Sequence, residues 1–159
     1  VLDALEALAL RCDGRLLALN SYENRVYQAG IEDGPPVIAK FYRPDRWSDA
    51  ALLEEHQFSA ELAAAEIPIV APWRDAHGQS LFRRAGFRFA LFARRGGRAP
   101  EPGDLDQLEW IGRFIGRIHL AGQAAPAPEG APSFPGFYEL PEIWSSASLR
   151  RLGALFPSP

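Results

Sequence analysis

The sequence predicts an α+β fold in which a five-stranded antiparallel sheet packs against a helix. Strand-like apolar runs come as a group of three and then a group of two, with one helical segment between the groups. A break rich in Gly and Pro, RRGGRAPEPGD, follows the fifth run. The clearest helical periodicity of the chain comes directly after it.

The elements follow in order. In VLDALEALAL, residues 1–10, Leu2, Leu5 and Leu8 stand at helical spacing with Asp3 and Glu6 outward, which reads as a short amphipathic helix. RLLALN and RVYQAG flank the polar stretch NSYEN, residues 20–24, as strand, loop and strand. A turn at Asp33, Gly34 and Pro35 leads into a third strand, VIAKFY, which Pro44 ends. Ser48 followed by Asp49 is a helix N-cap, and the helix runs to about Ala65 before Ile67-Pro68 ends it. LFRRAG and FRFALFA are the fourth and fifth strands, around Gly86. Leu105, Leu108, Ile111, Ile115 and Ile118 define a helix over 104–121 whose broad apolar side calls for a further packing partner. AAPAPEGAPSFPG, residues 124–136, is a linker or surface loop by composition, and 138–155 leave room for one more short helix.

Composition excludes more than it selects. Hydrophobic content of 47% and charged content of 23% are those of a soluble globular protein. A net charge of −3 offers no general attraction to nucleic acid or to an anionic membrane. A single cysteine, Cys12, cannot form an internal disulfide, and no apolar run approaches the length of a spanning helix. The first ten residues have two acids and no basic segment, unlike a signal peptide. The expectation is a cytoplasmic protein without nucleic-acid or membrane partners.

Lys40 is the only lysine of the chain; every other cationic side chain among the Lys and Arg is arginine. Alternation puts Ile38, Lys40 and Tyr42 on one strand face and Val37, Ala39 and Phe41 on the other. A lysine here is either an edge-strand charge that discourages pairing or a compact ammonium kept to hold a phosphate oxygen. In the following helix, at about 100° per residue, Ala51, Glu55, Phe58 and Leu62 fall on one stripe, with Leu52 and His56 well round from it. Glu55 is therefore expected to point at the sheet, where a carboxylate needs a partner. Lys40 is one partner; Arg43, or a place at the solvent margin, are the alternatives. Ser21, Tyr22, Glu23 and Asn24 are common turn residues, or else a flap whose hydroxyls and backbone N–H groups cover a phosphate chain.

Three weaker signals have ordinary readings. His119, on the Leu108–Gly112–Ile115 stripe, reads as a buried core histidine. The six arginines in 83–98 read as solvated strand faces and a connector, with phosphate contact as the alternative. No cluster of Cys, His and acids has metal-ligand spacing.

Loop, strand lysine, helix glutamate, two strands, connector and helix is the order of a protein-kinase N-lobe. LNSYENRVY, IAKFYRPDRW, EEHQF, and FRFALFARRGGR followed by IGRFIGRIH make the likeness more specific. Together they resemble the bacterial stress response kinase A family, Ser/Thr protein kinases with the aminoglycoside-phosphotransferase (choline-kinase-like) fold. The resemblance covers residues 1–122 closely and the rest loosely.

The resemblance implies a kinase-like N-lobe at 1–93, a connector at 94–103, and the start of a C-lobe at 104–159. It implies ATP as cofactor, with Ser21, Tyr22, Glu23 and Asn24 covering the phosphates. Lys40 would hold the α/β-phosphates, Glu55 would orient Lys40, and the backbone of Phe92 and Ala93 would bind adenine. Phosphoryl transfer further needs a catalytic Asp and Mg²⁺ ligands, which the family carries in an HGDxHxxN stretch and a later acidic motif. The chain's three histidines, His56, His77 and His119, stand in EEHQF, DAHGQ and RIHLA, so this motif is absent. The chain is thus expected to stop before the larger lobe and to be inactive alone. With its missing lobe it would be a monomer acting on protein hydroxyls. The alternatives are a small-molecule hydroxyl kinase and a non-catalytic nucleotide-binding or regulatory fragment.

Overall fold

A computed structural model of the chain describes residues 1–101 and 103–124. The linker beyond Ala124 and the short helix expected at 138–155 lie outside the described residues. Among the described residues the order is α1 (Leu2–Glu6), β1 (Cys12–Leu19), β2 (Arg25–Ile31), β3 (Gly34–Phe41), α2 (Asp49–Ala64), β4 (Phe82–Arg84), β5 (Phe87–Ala93) and α3 (Leu105–Ala124). The five strands form one antiparallel sheet in the order β1-β2-β3-β5-β4. No helix of the described residues is long and apolar enough to cross a membrane.

Local chemistry accounts for the element ends. The Ser48 hydroxyl accepts the Ala51 N–H at 3.2 Å and starts α2 as a capping side chain does. The β4–β5 hairpin pairs Arg84 with Phe87, leaving Ala85 and Gly86 as its two-residue loop. Both have positive φ, 47° and 81°, which is the backbone twist that joins adjacent antiparallel strands most tightly. The β2–β3 turn differs from expectation. Gly34 is already paired with Ile31, so Glu32 and Asp33 make the turn, and Asp33 takes the left-handed conformation at φ 56°. Pro35 and Pro36 fall inside β3 beside a register shift, where missing N–H groups are tolerated. The first helix is also shorter than the 1–10 expected.

Residues directly opposite in an antiparallel sheet share a face, and the register assigns the two faces. Ala29, Ala39, Phe89 and Leu91 form a buried cluster with Ala4 and Leu5 of α1. Val26, Lys40 and Ala90 lie in line on the other face, as do Gln28, Ile38 and Phe92. There Tyr42 and Ala90 pack on Leu52 of α2. The sheet therefore has α1 on one side and α2 on the other. Lys40 lies on the central strand, between β2 and β5. It is not an edge-strand charge.

The α2 stripe differs from the expected one. Ala51, Leu52, His56 and Leu62 are its buried residues, so the helix is rotated to bring Leu52 and His56 inward. Glu55 sits on the margin of that arc, half-buried, and Phe58 is half-buried too. Helix α3 meets the end of α2, where Arg117 donates to the terminal carbonyls of Ala65 at 2.9 Å and Glu66 at 3.4 Å. Its apolar side chains Leu105, Leu108, Trp110, Ile115 and Leu120 are exposed. His119 is half-buried, not the fully buried core residue expected.

Candidate nucleotide-binding site

The β3 strand and α2 bring Lys40 and Glu55 together. Lys40 Nζ donates to Glu55 Oε1 at 3.0 Å, with the side chains 24% and 39% exposed. Of the readings open for Glu55, the pairing with Lys40 and the place at the solvent margin are both met, and the pairing with Arg43 is not. The ammonium also lies 4.8 Å from the centroid of the Tyr42 ring, within range of a cation–π attraction. A pair this exposed contributes about 0–1 kcal/mol to folding, so its presence on a central strand is poorly explained by stability.

Around Lys40 the same face is mostly apolar, with Gln28 between Leu17 and Ile38. Register places Leu17, Leu19, Val26, Ile38 and Phe92 on it. Leu17 is 57% exposed, and the other four are half-buried. A strip of accessible apolar side chains beside an accessible cation suits a ligand with a flat apolar end and an anionic end.

The loop after β1 is pinned to the segment that follows β3. Arg46 Nε donates to Glu23 Oε1 at 2.6 Å, and the Arg43 backbone N–H donates to Asn24 Oδ1 at 3.2 Å. Ser21 and Tyr22 are exposed. The loop bounds a groove of about 740 Å³ that Val26, Phe41 and Tyr42 also line. Lys40, Glu55, Phe92 and Ala93 do not line this groove. The structure thus joins Lys40 to Glu55, sets Phe92 two residues beyond Lys40's partner Ala90, and keeps the loop in a neighbouring groove. Ala93, at the end of β5, is exposed.

Behind the ion pair is a network that sequence reasoning missed. His56 is 1% exposed and Ser80 2%. The Tyr42 hydroxyl lies 2.6 Å from His56 Nε2, and Ser80 Oγ lies 2.9 Å from Nδ1. Burial, and secondarily the Glu55 carboxylate, push the Tyr42 hydroxyl well above the usual phenol range, so it stays neutral. Burial also lowers the His56 imidazole below its ordinary 6.5, helped by Lys40 and Arg74 and opposed by Glu55. A signal was available: Leu52 and His56 are four residues apart and so form their own helical stripe.

The His56 shift has a pH consequence. Between 6.5 and the lowered folded value the unfolded chain binds a proton that the folded chain refuses, so stability rises with pH through that window. Lowering the pH from about 7 to about 5 is expected to lower the urea midpoint, and His56→Gln is expected to flatten that decline. The carboxyls of Asp13, Asp49 and Asp104 are held low, by Arg15, by Arg88 with Arg83, and by Gln107 respectively, so their loss comes only at more acid pH. An unchanged slope in His56→Gln would refute the assignment.

Among the described residues no group of three or more His, Cys, Asp or Glu is arranged to hold a metal ion.

The chain is 45% identical over 126 residues to "Stress response kinase A" of Salmonella typhi, covering 79% of this chain and 38% of that protein. It is 44% identical over 126 residues to "Serine/threonine protein kinase RdoA" of Salmonella typhimurium, with the same coverage. It therefore spans less than two fifths of the length of these relatives. Among solved structures, an amicoumacin kinase in complex with AMP-PNP, Ca²⁺ and Ami superposes with a TM-score of 0.67 at 22% identity, covering 80% of this chain and 41% of that one. The fold is thus kinase-like. The model of the APH phosphotransferase enzyme family matches residues 15–158, and the chain belongs to that family.

Proposed function

We propose that this chain is the ATP-binding part of a bacterial Ser/Thr protein kinase that transfers the γ-phosphate to protein hydroxyls. The observation that carries the reading is the Lys40–Glu55 pair, set on a central strand beside an accessible apolar strip. Lys40 holds the α/β-phosphates as a point charge, and Glu55 keeps its ammonium directed. Ser21, Tyr22, Glu23 and Asn24 cover the phosphates, while the main chain at Phe92 and Ala93 receives adenine. ATP supplies the transferable phosphoryl group. Residues 1–93 are the nucleotide lobe, 94–103 the connector, and 104 onward the start of a second lobe.

The acceptor follows from likeness. Relatives named as stress response or Ser/Thr protein kinases share 44–46% identity with this chain, against 22% for the amicoumacin kinase. That contrast supports a protein hydroxyl over a small molecule. The described residues offer neither a catalytic Asp motif nor a Mg²⁺ ligand group, so no transfer step is assigned to them. Action in the cytoplasm, as a monomer at full length, completes the reading.

The single lysine makes the test direct. An amine-selective acylating reagent modifies only Lys40 and the α-amino group. AMP-PNP is expected to slow acylation of Lys40 severalfold and leave the α-amino rate unchanged. Equal Lys40 rates with and without saturating nucleotide would sink the assignment.

A further inference from the structure

The ion pair of Lys40 and Glu55 is weak as a restraint. Two long, partly exposed side chains sample several geometries in water. What lies behind the pair is stiffer. Tyr42, His56 and Ser80 form a buried hydrogen-bond chain that joins the end of β3, α2 and the segment entering β4, Tyr42 being the residue directly after β3, and breaking such a chain strands buried polar atoms. A neutral imidazole donates through one nitrogen and accepts through the other. Either hydroxyl can take either role, so the chain is complete in both tautomers.

Two links run from this chain to the pair. His56 follows Glu55 directly on α2, so anchoring His56 fixes the turn of helix that carries the carboxylate. Tyr42 lies two residues beyond Lys40 on the same face, with its ring 4.8 Å from Nζ. The His56 ring is further seated edge-on against Phe92, with centroids 6.5 Å apart. We infer that His56 is a positioning residue for Lys40 and Glu55: it clamps the Tyr42 ring under the ammonium and sets the rotation of α2. This deepens the reading of Lys40 as the phosphate-binding lysine, and rests on it only for the consequence for ATP.

Selective isotopic labelling of lysine gives one labelled side chain, Lys40, in the intact chain. Its ε-methylene resonance is expected to carry a ring-current displacement from Tyr42, and Tyr42→Leu calibrates the value without the ring. Tyr42→Phe keeps the ring and removes one oxygen. In that variant and in His56→Leu the displacement is expected to collapse toward the Tyr42→Leu value. His56→Gln, whose amide can still bridge both hydroxyls, is expected to recover at least half of it. AMP-PNP affinity should follow the same ranking, with a loss of about tenfold in Tyr42→Phe. A full displacement in Tyr42→Phe overturns the inference even if His56→Leu fails to fold. Unchanged AMP-PNP affinity in Lys40→Ala would instead overturn the phosphate role of Lys40, and the resonance would still decide the role of His56.

Discussion

Lys40→Ala is expected to raise the dissociation constant for AMP-PNP by about ten- to a hundredfold, measured by titration calorimetry on the intact chain. A hydrogen bond to a charged group contributes about 1.5–3 kcal/mol, and each 1.4 kcal/mol is a factor of ten in affinity. The cost to folding should be far smaller, because the Lys40–Glu55 pair is 24% and 39% exposed and such pairs contribute about 0–1 kcal/mol. Binding and stability therefore separate, which a merely structural lysine would not allow. Lys40→Arg is expected to rescue little, since a planar fork replaces a compact ammonium. Glu55→Gln should weaken binding less than Lys40→Ala, because it leaves the charge and loosens its direction. Wild-type affinity in Lys40→Ala, with an unchanged urea midpoint, would remove the basis for a nucleotide site here.

Phe89→Ala is expected to lose about 3–5 kcal/mol of folding stability, read from the urea midpoint by circular dichroism. Phe89 is 1% exposed and stands opposite both Phe41 of β3 and Phe82 of β4. Its ring is stacked on Phe41 at 5.1 Å and tilted to Phe82 at 5.6 Å. Tyr27 continues the row beyond Phe41 at 6.1 Å, and Trp73 beyond Phe82 at 5.8 Å. Truncation would open a cavity in a row that spans four of the five strands. Against a total stability of about 5–15 kcal/mol this is a large fraction. Phe89→Leu should cost roughly half as much, since it refills part of the volume. A loss below about 1 kcal/mol for Phe89→Ala would show that the row is not a unit of the core.

Much of the site was legible because it depends on local rules. Ser48 caps α2 because its hydroxyl meets the Ala51 N–H three residues on. Gly86 marks the β4–β5 turn because that turn needs positive φ. Alternation along VIAKFY put Lys40 and Tyr42 on one face, as observed. Spacing along α2 put Glu55 within the inward stripe, whereas the fold sets it on the margin of the buried arc, where it meets Lys40 at 3.0 Å. Spacing alone sets His56 outward, off the Ala51–Phe58 stripe, whereas the fold buries it. Apolar residues surround much of this helix, so its own pattern does not select one inward arc.

The sequence by itself determined the order of elements, the Ser48 cap, the β4–β5 turn and the two faces of β3, because strand alternation, caps and backbone dihedrals are set within a few residues. Only the tertiary structure decided which faces meet. It paired β3 on both sides, with β2 and β5, which took Lys40 off the sheet edge, and it turned α2 until His56 met Tyr42 and Ser80. Those partners come from the residue just after β3 and from the segment before β4. A buried imidazole can be satisfied only where distant hydroxyls arrive together, and that arrival is a property of the packed fold.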